Sequence, residues 1–271
     1  MSLLKKLLLS ISLATLVVGC TTTDSGRAAI TLYDEEYLEY IHKMQFEYDR
    51  ENLPLVTDRN EIDFVACIAN AIVDAMDPEY QEIFWELAIL ENPAVNASAA
   101  PGGKIRVYAG MIDLVENQHE LASVMGHELA HVTSKHVNER MSRQKMAEYG
   151  IDVASIVIGG GYYNQTNAAK MALSQASQLG LTLPHNRTQE SEADEIGLKY
   201  MAAAGFDPRE SITLWKRMSA MSEAAGVTTP DFMRTHPTDE KRIDDQISLL
   251  AEVLPIYNQA KAEGRNPNCK K

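Results

Sequence analysis

The sequence predicts an α+β domain that is mainly helical and carries one small β-sheet. Two observations point to that class. Strand-like runs cluster between residues 84 and 109, and from Met111 the apolar spacing is helical almost to the end. No internal repeat interrupts this order, so the elements can be taken in sequence.

In residues 32–50, Tyr37, Ile41, Met44 and Tyr48 recur at helical spacing. A clearer amphipathic helix covers residues 61–76 through Ile62, Val65, Ile68, Ala69, Ile72 and Val73. Residues 84–90 read as a strand ended by Glu91-Asn92-Pro93. After the Pro101-Gly102-Gly103 turn, residues 104–109 form a second strand, with Ile105 and Val107 inward and Arg106 and Tyr108 outward. The helical remainder breaks at residues 159–161, 182–186, 205–208 and 228–237.

Composition narrows the function. With 271 residues, 45% hydrophobic and 23% charged, the chain is globular, which excludes disordered, collagenous and fibrous classes. A net charge of -13 and a pI near 5.0 leave no basic footprint, so no nucleic-acid partner is expected. Three cysteines are too few for a disulfide scaffold, and no internal apolar run approaches the ~18 residues of a membrane span.

The first twenty residues carry an address. Lys5 and Lys6 precede an apolar stretch over residues 7–18, too short to span a bilayer but suited to a secretory signal. Val17-Val18-Gly19-Cys20 resembles the lipobox of bacterial lipoproteins, in which the cysteine is acylated and becomes the new amino terminus. That resemblance implies a lipoprotein signal peptide over residues 1–19, a lipidated polar tether over 20–31 and a folded domain over 32–271. Thr21, where an inner-membrane retention signal would place Asp, implies the outer membrane, lipid-anchored and facing the periplasm. The cysteines beyond the signal are Cys67 and Cys269; an oxidising compartment permits a disulfide between them, and a buried Cys67 with a free Cys269 is the alternative.

The chemistry lies in Gly126-His127-Glu128-Leu129-Ala130-His131, an HExxH motif. On a helix, residues four apart share a face, so His127 and His131 can reach one metal ion while Glu128 touches a water beside it. A catalytic zinc takes three protein ligands and keeps one open position. His136, five residues past His131, projects about 140° round a continuous helix and reads either as a residue behind the ligands or as a purely structural one. His119 starts HELAS, which has Ser123 where a second ligand is required. The better candidate for the third ligand is Glu190, with Asp194 four residues on and able to accept a hydrogen bond from the far nitrogen of a ligating histidine; taken alone, this acidic segment also reads as an exposed helix. Glu192 does not share that face, so Glu192→Gln is expected to leave zinc binding nearly unchanged.

Together these residues resemble the zinc metallopeptidases of peptidase family 48, and in particular its periplasmic LoiP- and BepA-like lipoproteins without a TPR domain. The likeness rests on Asn96-Ala97, the Pro-Gly-Gly turn, the HELAH helix, Glu190 to Asp194, Gly205-Phe206-Asp207-Pro208 and Thr235-His236-Pro237. It implies a zincin-type (gluzincin) fold with one Zn2+ per subunit on His127, His131 and Glu190, and Glu128 as general base. His236 and Arg242 match a pair lying over the metal, either stabilising the oxyanion or, for the histidine, occupying zinc at rest. Ser98, His185 and Asn186 depart from the family pattern at the substrate-facing rim. The implied activity is a zinc endopeptidase acting on unfolded or extended polypeptides, suited to removing misfolded or misassembled envelope proteins, with outer-membrane assembly machinery as a candidate partner. The strand over residues 104–108 is where an extended substrate is expected to add. Two rivals are an assembly or chaperone-like factor that cleaves little, and a structural zinc protein if His236 binds permanently.

Overall fold

The computed structural model describes residues 20–23, 25–159, 162–177, 183–223, 230–237 and 239–271. The expected signal peptide, two of the three glycines at 159–161, and part of the breaks at 182–186 and 228–237 lie outside the described residues. The described part is mainly helical with a small sheet, the class expected from periodicity.

The described residues open with a two-stranded antiparallel hairpin, β1 (Cys20–Thr22) and β2 (Ala28–Ile30), within the stretch read as a polar tether. Helix α1 (Glu35–Asn52) follows, capped by Asp34, whose side chain accepts from Glu36 N at 2.8 Å. It buries Leu38 and Phe46, whereas Tyr37, Met44 and Tyr48 stay exposed. The helix was legible but its inward face was not, because a Tyr-rich stripe scores as apolar while its hydroxyls prefer water. Helix α2 (Arg59–Val73) buries Phe64, Val65, Ile68, Ala69 and Ile72, close to the stripe expected for it. The short α3 (Pro78–Gln81) leads into the sheet.

That sheet contains β3 (Glu86–Leu90), β4 (Ala97–Ala100) and β5 (Lys104–Tyr108) in the order β3-β5-β4. β5 runs parallel to β3, pairing Glu86 with Lys104, and antiparallel to β4, pairing Ala97 with Val107. Strand β4, with sequence Ala-Ser-Ala-Ala, has no β-branched signal and escaped the periodicity reading. Ile105 and Val107 face the core as expected, but Arg106 is also buried. Helix α1 covers it: Arg106 Nε donates to Asp49 Oδ2 at 2.7 Å and the guanidinium lies 5.3 Å from the Phe46 ring centroid.

Helices α4 (Ala109–Leu114), α5 (Gln118–Thr133), α6 (His136–Ile158), α7 (Tyr163–Ser177) and α8 (Leu183–Ala203) come next. Part of the break expected at 182–186 is helical, with Pro184 in the first turn of α8, where its missing N–H is harmless. After Gly205, whose φ of 87 favours glycine, come α9 (Arg209–Glu223), α10 (Asp231–Thr235) and α11 (Glu240–Ala262). Helix α5 is buried almost all round, between the sheet and helices α2, α8 and α9.

Cys67 on α2 and Cys269 in the tail form a disulfide with a Cα–Cα distance of 5.7 Å across 202 residues of chain. A loop that long constrains the unfolded chain strongly. The Cys269→Ser protein is expected to lose roughly 2–5 kcal/mol of stability. Urea unfolding with and without reductant checks this, since reductant should lower only the parent protein.

Candidate metal centre

Helix α5 carries His127 and His131 one turn apart, and α8 brings Glu190 to them across a glycine contact. A Cβ placed on Gly126 would meet Gly197 O at 2.7 Å, and one placed on Gly197 would meet His127 N at 2.7 Å. Only glycine at both positions lets the two backbones approach this closely. His236 arrives from the end of α10.

Among the described residues, His127, His131, Glu190 and His236 present ligand atoms that all lie within 4.8 Å of one another. His127 Nε2 is 3.1 Å from His131 Nε2, 3.2 Å from Glu190 Oε2 and 3.2 Å from His236 Nδ1. His131 Nε2 is 3.4 Å from Glu190 Oε1, and His236 Nδ1 is 3.0 Å from Glu190 Oε2. Zinc–nitrogen and zinc–oxygen bonds of about 2.0–2.1 Å place tetrahedral ligands about 3.3 Å apart, so this donor set fits zinc. The electrostatics agree, because three imidazoles and a buried carboxylate converge with lone pairs facing one another.

The outer nitrogens fix those lone pairs inward. His127 Nδ1 faces Asp194 Oδ1 at 3.0 Å, which assigns its proton to Nδ1 and leaves Nε2 free for metal. Burial pushes the Asp194 carboxyl up, but Arg242 and His127 together hold it below its ordinary value. His131 Nδ1 faces His136 Nδ1 at 2.8 Å, and His136 Nε2 faces Glu192 Oε2 at 3.1 Å. Burial holds His136 below its ordinary value, in the neutral form that can accept from His131.

His136 therefore stands behind a ligand as expected, though by a different path. Lys135, with φ 55, ends α5 in the left-handed region and starts α6 at His136, so the ring turns back on His131. Glu128 sits at the mouth, with Oε2 3.4 Å from Ala99 N on β4 and Oε1 3.3 Å from His236 Nε2. Arg242 is buried and its donors are engaged. Nη2 donates to Asp194 Oδ1 at 2.8 Å, Nη1 reaches Glu190 Oε2 at 3.1 Å and Pro237 O at 3.0 Å, and the guanidinium lies 4.5 Å from the Trp215 ring centroid. His119 accepts from Asp207 N at 3.1 Å, away from this cluster. The His185 and Asn186 side chains lie outside the described residues. Glu192, expected to be indifferent, is buried against His136, a role visible only once α6 and α8 are packed.

Residues 62–247 match the family model described as Peptidase family M48. The chain belongs to peptidase family M48. Mitochondrial metalloendopeptidase OMA1 of Saccharomyces cerevisiae is 32% identical over 184 residues, which is 66% of this chain and 50% of that protein. The protein of the same name from Arabidopsis thaliana is 31% identical over 66% of this chain and 35% of its own length. The Beta-barrel assembly-enhancing protease of Yersinia pestis is 25% identical over 76% of this chain and 42% of that protein. The matched stretch thus spans half or less of each relative's length. His127, His131, Glu190 and His236 supply a group able to hold the zinc that peptidases of family M48 use.

Proposed function

We propose that this M48 metallopeptidase works at the periplasmic face of a bacterial envelope, lipid-anchored at Cys20 in the outer membrane, and removes misfolded or misassembled envelope proteins. The observation that carries the site assignment is the convergence of His127, His131 and Glu190 at tetrahedral spacing beside Glu128. Support for the compartment comes from the Cys67–Cys269 disulfide, which needs oxidising surroundings, and from the lipobox at residues 17–20. Among the described residues, no helix is long and apolar enough to cross a membrane, so attachment would fall to the lipid. On this reading Cys20→Ser loses palmitate labelling and leaves the membrane fraction; unchanged fractionation would place the anchor elsewhere.

In this reading His127, His131 and Glu190 hold zinc, which when bound supplies a Lewis acid that acidifies water and polarises a carbonyl. Glu128 takes a proton from the attacking water and later passes it to the leaving amine. Asp194 keeps His127 in the ligating tautomer. The substrate edge differs from the one expected, because β5 is paired on both sides. Of the two edge strands, β3 and β4, it is β4 whose Ala99 lies beside Glu128, so an extended polypeptide would pair there and be read mainly through its backbone.

Arg242 has its donors committed to Asp194, Glu190 and Pro237, which favours bracing the site over stabilising an oxyanion. His236 favours a resting plug: Nδ1 sits among the ligand atoms while Nε2 faces the base Glu128. The expected result for His236→Ala is zinc retained and basal casein hydrolysis raised, up to about tenfold if the open state is a tenth of the population. A fall of about a hundredfold would make His236 an oxyanion partner, and unchanged turnover would remove both roles.

A further inference from the structure

The N-terminal hairpin reaches the back of the metal centre. Thr23 and Ser25, in its turn, both hydrogen-bond Glu192 Oε1. Arg27 bridges two helices, with Nε donating to Glu192 Oε2 at 2.7 Å and Nη1 and Nη2 to the two oxygens of Glu139 at 2.9 and 2.7 Å. Glu139 and Glu192 are only 1% and 4% exposed, so as charges they require a buried partner. Arg143 and Gln189 also reach Glu139, but among the described contacts Arg27 is the cation on Glu192. The segment is pinned further by Leu32 N to Ser142 Oγ at 2.7 Å and by Asn138 Nδ2 to Tyr33 O at 2.8 Å.

From Glu192 the hydrogen bonds continue through His136 to His131. Glu192 Oε2 accepts from the Nε2–H of His136, whose bare Nδ1 accepts from the Nδ1–H of His131, so His131 turns a lone pair on Nε2 towards the other ligand atoms. We propose that Arg27 is a positioning residue for the zinc ligand His131, acting through Glu192 and His136. The hairpin is thus part of the metal centre's support, and its docking and the zinc affinity are one coupled property. With Arg27 gone, Glu192 is a buried carboxylate lacking its counter-charge. Its carboxylate is then no longer held by the Arg27 Nε–H and turns away, and His136 loses the bond that selects its tautomer. This reverses the expectation that Glu192 is indifferent to zinc, and it rests on the assignment of His131 as a ligand.

The test uses the full chain and chelator competition to measure zinc affinity, urea unfolding to confirm the fold, and ring 15N shifts to report which nitrogens of His131 and His136 carry protons. Arg27→Ala is expected to weaken zinc binding about ten- to a hundredfold. Glu192→Gln, which keeps the side-chain shape, should weaken it in the same direction and carries the test if Arg27→Ala fails to fold. In both, the His136 ring signals should leave the Nε2-protonated pattern. Because they act through one chain, Arg27→Ala combined with His136→Ala should bind zinc no more weakly than His136→Ala alone. Folded variants with parent-like affinity and ring shifts, or losses that add, would overturn the relay. His131→Ala separates the layers: if it keeps parent-like affinity, the ligand assignment itself fails. If it loses zinc while Arg27→Ala and Glu192→Gln do not, the relay alone fails.

Discussion

The Glu128→Gln protein is expected to bind zinc as tightly as the parent and to hydrolyse casein about 10²–10⁴-fold more slowly. Glu128 lies outside the group of four converging ligand atoms, and its oxygens face Ala99 N and His236 Nε2 at the mouth of the site. Glutamine keeps the size and one acceptor oxygen but cannot take up a proton, so the loss should fall on turnover and not on metal content. The measurement is kcat with casein alongside zinc stoichiometry. Full activity would remove Glu128 as the base, and loss of zinc would make it a structural element of the metal site. The same variant serves as a trap. Mass spectrometry of the envelope proteins it retains distinguishes a protease of misassembled proteins from an assembly factor that cleaves little, because only the former accumulates uncleaved substrates when the base is lost.

The Glu190→Gln protein should lose more than about a hundredfold in zinc affinity and, with it, peptidase activity at ordinary zinc concentrations. Glu190 is buried, its two oxygens 3.2 Å from His127 Nε2 and 3.4 Å from His131 Nε2, and Arg242 braces it at 3.1 Å. Burial raises its carboxyl, but the surrounding histidines overcome this and hold it well below the ordinary range, so the ligand is supplied as an anion. Replacing that anion by a neutral amide removes the charge that offsets the cation and leaves Arg242 facing an amide. Zinc content after dialysis reads the result. A variant that kept a full complement of zinc would show that the third ligand lies elsewhere on α8. Glu192→Gln, through its contact with His136, should have the smaller effect of the two.

What the sequence could determine was local. The spacing of His127 and His131 is a property of one helix, and Glu190 and Asp194 share a face for the same reason, so each pair could be read before any packing was known, and the family resemblance joined the two. The class followed from periodicity, and the α2 stripe through Val65, Ile68 and Ile72 was correctly inward. The readings that failed had no local signal. Tyr37, Met44 and Tyr48 share a helix face, yet burial of α1 was decided by Phe46 packing against Arg106 on a strand 60 residues away. The identity of the edge strands depended on β3 and β4 both choosing β5, and the direction of His136 depended on a left-handed residue at Lys135. Arg27 and Glu192 lie 165 residues apart, and nothing in either neighbourhood announces the other. The sequence by itself determined two pairs, His127 with His131 and Glu190 with Asp194, because the members of each lie within one turn of a helix. Tertiary structure alone decided that Glu192 and Arg27 stand behind them, because a buried charge takes whatever partner the packing brings within hydrogen-bond reach.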